Sequence, residues 1–302
     1  MARPDGLGGG VGLPTGAHTC APGHIGIRLT GSDCTGRSER SRVLCVWFYP
    51  VALALLVGCG GGPSAEEVDR SMREFTLAAS LRDEGNVPGA LEHLRVSLEL
   101  HPENARAYLL LGYIHLERND YPRAEEALRK GVELLGEEPD MAATLAEARN
   151  LLGVTLIHQE RFDDAIPLLR QSAADMLNHA PWYAWGNLGW AYYEKGEYQQ
   201  AKEALEQAVR VQPRFCLGHY QLGRTLFAME RFEEAEEALT LALEADERCE
   251  RFYQDAWALR GETRARLGRR DEAIGDFERC VELGARTEAG ESCQRFLQQA
   301  AP

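Results

Sequence analysis

The residues best able to do chemistry in this 302-residue chain are its eight cysteines, and their placement sorts them into groups. Cys216, Cys249, Cys280 and Cys293 all fall in the last third, while Cys59 stands alone behind the apolar run 43–57. No Cys-x-x-Cys pair exists, and Cys216 with His219 is a lone half-site, so the late thiols point to disulfides rather than to zinc. The eight histidines are scattered, with none in an HExxH arrangement. There is no Gly-x-Ser-x-Gly elbow, no phosphate-cradling glycine loop followed by Lys and Ser or Thr, and no dinucleotide fingerprint. Paired carboxylates such as Glu233-Glu234 and Glu236-Glu237 are expected on a solvated outer helix face. This inventory predicts a non-enzymatic chain with no catalytic residue, cofactor, metal or small-molecule substrate.

The N-terminus has its own logic. Residues 1–36 are rich in Gly, lack periodicity and cannot bury a core. Arg37, Arg40 and Arg42 then precede the apolar run, and small residues follow it, which is the layout of a secretory signal. The run is short for a membrane span, and Pro50 interrupts it. Leu56-Val57-Gly58-Cys59 resembles the bacterial lipobox, which implies that Cys59 is acylated and becomes the first mature residue. Gly60, in place of Asp, resembles the pattern sent to the outer membrane. The expected organisation is a leader and signal over 1–58, with 1–36 read as a start codon assigned too far upstream. A lipidated tether over 59–66, repeats over 67–286 and a capping helix over 287–302 complete it. Removing 1–58 would take three acids and five bases, leaving 44 acids and 28 bases, a net charge near −16. Such a chain repels nucleic acid and anionic lipid surfaces, leaving the lipid on Cys59 as its route to a membrane.

The elements that must carry these groups are written in the glycines. Gly112, Gly153, Gly189, Gly223 and Gly261 are each followed twelve residues later by Ala, at 124, 165, 201, 235 and 273. The step from Gly189 to Gly223 is 34 residues, the period of a tetratricopeptide helix–turn–helix unit. The fullest copy, 181–213, carries Trp185, Leu188, Gly189, Tyr192, Ala201, Leu205, Ala208 and Pro213. Two antiparallel helices approach closely only where small residues lie between them, so Gly189 is expected against the stretch holding Ala201 and Ala208. A first, atypical copy has Ala78 in place of the glycine. Longer steps, 41 residues from Gly112 to Gly153 and 38 from Gly223 to Gly261, place extra residues around 139–146 and 246–251. The fold expected is all-α: six hairpins in a right-handed solenoid, plus a thirteenth helix over 287–299 whose Phe296 and Leu297 cover the last repeat.

That framework positions the cysteines. Cys216 begins the first helix of repeat five and Cys249 lies just past its second, at the same end of one hairpin. Cys280 and Cys293 flank the Gly284 turn about equally. Pairings Cys216–Cys249 and Cys280–Cys293 follow from antiparallel neighbours, stabilising by about 3–4 and about 3 kcal/mol in the loop-entropy picture. Function is expected on the inner face of the first helices, where Leu109, Tyr113, Leu116, Val154, Ile157 and Trp190 form an apolar stripe suited to an apolar or amphipathic segment. Phe75, Tyr183, Tyr193, Tyr220, Arg224 and Phe227 fall in the same register. A clamp for chaperone tails needs paired Lys and Asn; only Asn150 and Asn187 come near it, and Leu217 stands where a Lys belongs.

A lipobox, six such repeats, nothing but repeats and four late cysteines together resemble the type IV pilus pilotin lipoproteins of the PilF/PilW/Tgl type, over about residues 59–302. The resemblance implies an outer-membrane, lipid-anchored protein facing the periplasm. Its implied partner is a secretin subunit, held in the groove while the secretin ring assembles. The rival expectation is a general envelope scaffold for polysaccharide export or cell-wall machinery.

Overall fold

A computed structural model describes residues 62–136, 139–246, 249 and 253–300. The leader, the lipobox and Cys59 lie outside the described residues. Among those described there are thirteen α-helices, one short 3-10 turn at Pro139–Met141, and no strand. Six hairpins account for twelve helices: α1 (Ala65–Asp83) with α2 (Val87–Leu100), α3 (Ala105–Glu117) with α4 (Tyr121–Leu135), and α5 (Ala142–His158) with α6 (Phe162–Ala174). Then come α7 (Pro181–Glu194) with α8 (Tyr198–Val211), α9 (Cys216–Ala228) with α10 (Phe232–Glu244), and α11 (Gln254–Arg266) with α12 (Arg270–Gly284). The capping helix α13 (Glu288–Ala300) closes the stack.

Helix ends are set locally. Ser64 accepts from the Glu67 amide while Glu67 reaches back to the Ser64 amide, a reciprocal cap that starts α1. Asn86 and Asn104 cap α2 and α3 through the amides of Gly89 and Ala107. Every hairpin turns through one residue in the left-handed region: Gly85, Asn119, Glu160, Gly196, Glu230 and Gly268, with φ between 58° and 79°. Glycine holds three of these places without strain, whereas Glu160 and Glu230 carry the cost of a Cβ there.

Inside hairpins two to six the glycine does what its spacing suggests. A Cβ built on Gly112, Gly153 or Gly223 would come within 2.5–2.6 Å of Leu128, Leu169 or Leu239, and one on Gly189 would crowd Leu205 more closely still. Gly261 meets Phe277 in the same way at 2.7 Å. The stretch expected against Gly189 lies there: the Ala201 carbonyl would be 3.2 Å from the added Cβ, Ala201 and Ala208 are fully buried, and Leu205 between them, sixteen residues after the glycine, is the side chain seated on it. A missing Cβ is useful because a branched or aromatic side chain fills the space. Hairpin one repeats the arrangement in weaker form, with Ala78 and Leu94 both fully buried.

Hairpins are joined by apolar seams and by buried polar links. Ser71, Ser97 and Asn104 hydrogen-bond to one another between hairpins one and two. Asp276 accepts two bonds from Arg260 at 2.8 and 3.0 Å and a third from Arg264, which also reaches Glu236 of α10. Arg269 adds a second cation to Glu236. Glu236, expected on a solvated face, is therefore only 9% exposed, because two guanidinium groups from the next hairpin replace its water. At the C-terminus Phe277 of α12 stacks on Phe296 of α13 at 4.8 Å, and Leu297 joins the same cluster. Gln254 ties the turn before α13 by donating to the carbonyls of Cys280 and Gly284.

Candidate partner-binding groove

Successive first helices touch one another directly (α1 to α3, α3 to α5, α5 to α7, α7 to α9, α9 to α11), whereas successive second helices make no comparable contact. The stack therefore bends toward its first helices, and their free faces line the inside of the bend. On α5, Glu147, Asn150 and Val154 follow one another at helical spacing along that face; on α7, Tyr183, Asn187 and Trp190 do the same. The two rows are tied side by side by an Asn187 to Asn150 amide hydrogen bond of 2.9 Å.

The six stripe residues divide into two sets. Tyr113, Leu116, Val154 and Trp190 are half-buried, Leu116 and Trp190 packing in part against the core of repeats two to four. Leu109 and Ile157 do not belong with them: they are 9% and 3% exposed and sit in that core. A helix face open to a groove is narrow, and positions at its flank turn into the seam with neighbouring helices. Leu109, for instance, lies within contact distance of the space beside Gly131 in α4. Arg82 lies 4.9 Å above the Tyr113 ring, and burial followed by Glu117 pushes the Tyr113 phenol upward despite that cation.

Aromatic groups continue the wall. Tyr121 stacks on His158 at 4.9 Å, and His158 meets Trp190 edge-on at 5.1 Å. Trp190 donates its indole N–H to Glu194 at 3.1 Å, and desolvation holds the His158 imidazole below its ordinary range. Arg224 lies 4.4 Å over the Tyr193 ring, while Tyr220, facing Tyr253 at 6.3 Å, is pushed up to about 12 by burial. Such a surface offers ring faces, methyl groups and a few polar atoms. Among the described residues no cluster of three or more His, Cys, Asp or Glu is placed to hold a metal, and no helix is long and apolar enough to cross a membrane.

The late cysteines come together in two pairs. Disulfides join Cys216 to Cys249, with α-carbons 6.0 Å apart, and Cys280 to Cys293, at 6.4 Å. The first pins the start of α9 to the segment after α10; the second pins α12 to α13. Neither includes a residue of the expected stripe; each ties neighbouring elements among the last two hairpins and the cap. Glu147 was absent from the stripe read out of the sequence, although it sits two turns before Val154 on one face. A search for apolar groups passes over a carboxylate.

Four tetratricopeptide-repeat family models match residues 75–139, 144–214, 192–259 and 254–284, together more than half of the chain. Among solved structures, the crystal structure of PilW, a widely conserved type IV pilus biogenesis factor, superposes with a TM-score of 0.66 at 20% identity. It covers 74% of this chain and 98% of PilW. PilF of Pseudomonas aeruginosa gives 0.64 at 19% identity, over 76% of this chain and 99% of its own. At such identities the likeness is one of fold. Cilia- and flagella-associated protein 70 of Homo sapiens is 25% identical over 182 residues, 60% of this chain but 15% of that protein. The chain spans at most a third of the curated relatives it matches. Sequence register, hairpin geometry and family matches agree: the chain belongs to the tetratricopeptide-repeat family, an all-α scaffold for holding protein partners.

Proposed function

We propose that this chain is a non-enzymatic, lipid-anchored pilotin of the outer membrane, whose inner face shields a secretin subunit until its ring closes. The observation that carries the reading is the fold match to the solved chains of PilW and PilF, covered over 98% and 99% of their lengths. The lipobox-like Leu56-Val57-Gly58-Cys59 supplies the anchor, and the half-buried Tyr113, Leu116, Val154 and Trp190 supply the apolar contact. An unassembled secretin subunit exposes lipid-facing surface; covering it is favourable by roughly 25 cal/mol per Å². The acidic balance of the chain, −14 overall, disfavours nucleic acid as partner.

The test is genetic and biochemical together. Deleting the gene is expected to abolish heat-resistant secretin multimers, and Cys59→Ala to abolish fatty-acid labelling and membrane retention. Tyr113→Asp with Val154→Asp, both at half-buried positions outside the core, is expected to leave helicity and localisation intact yet remove the multimers. Normal multimers and pili in a folded, correctly localised double mutant would overturn this site. Normal multimers in the deletion strain would favour the general envelope scaffold.

A further inference from the structure

The geometry points to a cation in the bound partner: an extended segment whose apolar side chains flank one lysine or arginine, paired with Glu147. The inference rests on the groove reading above and specifies what the groove selects. Glu147 belongs to the α5 row with Asn150 and Val154, opposite the α7 row of Tyr183, Asn187 and Trp190. It is open to solvent by its own surface, yet desolvation by the surrounding walls pushes its carboxyl above the usual carboxylate range, with no opposing cation. A carboxylate both exposed and crowded is what a concave wall produces.

Other charges near this face already have partners. Arg224 stacks on Tyr193 and approaches Glu194 at 3.9 Å; Arg82 pairs with Asp83 and covers Tyr113. Arg106, at the equivalent place one hairpin earlier, aims its guanidinium at the Met141 sulfur, 3.5 Å away, and not at Glu147. Glu147 has no ion-pair or hydrogen-bond partner among the described residues. A desolvated anion without a counter-ion is costly, and an incoming ammonium or guanidinium removes that cost while adding an ion pair screened less than one at an open surface. The neighbouring amides suit an extended main chain. Whichever way the Asn150–Asn187 pair is oriented, the bond between them leaves one whole NH2 group and one whole carbonyl oxygen unused by it. The net negative charge of the chain steers a basic segment toward it in the same sense.

A display library of random segments about twelve residues long, roughly 40 Å when extended, provides the probe. It is selected against the full exported chain and against Glu147→Gln and Glu147→Lys, with circular dichroism showing all three folded. The wild-type pool is expected to enrich Lys or Arg at one position between apolar residues. Glu147→Gln is expected to lose that enrichment, and Glu147→Lys to replace it with Asp or Glu, while the flanking apolar preference persists in all three. An apolar pool with no basic position, or a basic preference unchanged in Glu147→Gln, overturns this inference and leaves the groove reading standing. Failure to select any segment with the wild type overturns both. Should Glu147→Lys prove misfolded, the Glu147→Gln comparison alone decides.

Discussion

At the scale of single residues, the contact of Gly223 with Leu239 shows what holds a hairpin shut. A Cβ at 223 would lie 2.5 Å from Leu239 Cγ, so Gly223→Ala forces the leucine out of a fully buried site. The expected cost is about 1–3 kcal/mol, and Leu239→Ala alone should cost about 2–5 kcal/mol. Because the added methyl fills part of the space the leucine vacates, the double mutant should be less damaged than the sum; urea midpoints of the four proteins measure the coupling. His219 gives a second prediction. Its Nε2 lies 3.0 Å from the Pro213 carbonyl, its Nδ1 is buried without a partner, and burial holds its imidazole below the ordinary range. A folded-state value below the unfolded one means the unfolded chain binds protons first, so the contribution of His219 is complete above about pH 6.5 and falls away as the pH drops. Imidazole resonances followed by NMR should show a midpoint for His219 below about 6.5; a midpoint at or above that value would contradict the assignment. The same residues show what the sequence could disclose. The glycine register is legible because close helix contact demands a small residue at fixed spacing. The partner at Gly+16 was legible with it, as Leu205 in the fullest copy, because the space a missing Cβ leaves calls for a large apolar group at a fixed step.

At the scale of elements, the turns are more regular in shape than in composition. Six hairpins use the left-handed region at the same point, but only Gly85, Gly196 and Gly268 suit it without strain. Glu230→Gly and Glu160→Gly are each expected to stabilise by roughly 0.5–1 kcal/mol, the released Cβ strain partly offset by the extra freedom of an unfolded glycine. Gly268→Ala should destabilise by about 1 kcal/mol. Thermal midpoints read both, and a destabilised Glu230→Gly would show that the glutamate side chain contributes more than its backbone costs. Helix existence, order and pairing were readable from period and small-residue spacing. Helix faces were less so. Ile157 and Leu109 fall on the flank of the inner stripe, and a few tens of degrees of rotation separate a groove wall from a core position. Glu236 was misread for another reason: Arg264 and Arg269 lie 28 and 33 residues away in sequence, and nothing local marks them as its partners.

At the scale of the whole molecule, the covalent links and the most deeply buried ionic ones gather at one end of the described residues. Both disulfides, and the buried Arg260, Arg264, Asp276 and Glu236 network, lie in α9–α13, whereas α1–α8 hold together by apolar packing, neutral hydrogen bonds between hairpins such as Asn104–Ser71 and Asn187–Asn150, and the more exposed ion pairs Arg161–Glu125 and Lys195–Asp163. Repeat stacks are stabilised by neighbours, so loss of a local link is felt locally. Reductant is therefore expected to lower hydrogen-exchange protection in α9–α13, with α13 opening first, and to leave α1–α8 unchanged; uniform loss along the chain would contradict this. The bend has a mechanical consequence. First helices already touch along the inside, and second helices stand apart outside, so the stack resists curling tighter but can straighten by giving up a few inner contacts. It behaves as a one-way spring: the channel has a least width set by contact and no comparably sharp greatest width. A segment stout enough to press the first helices apart is therefore expected to be held more firmly than a slender one.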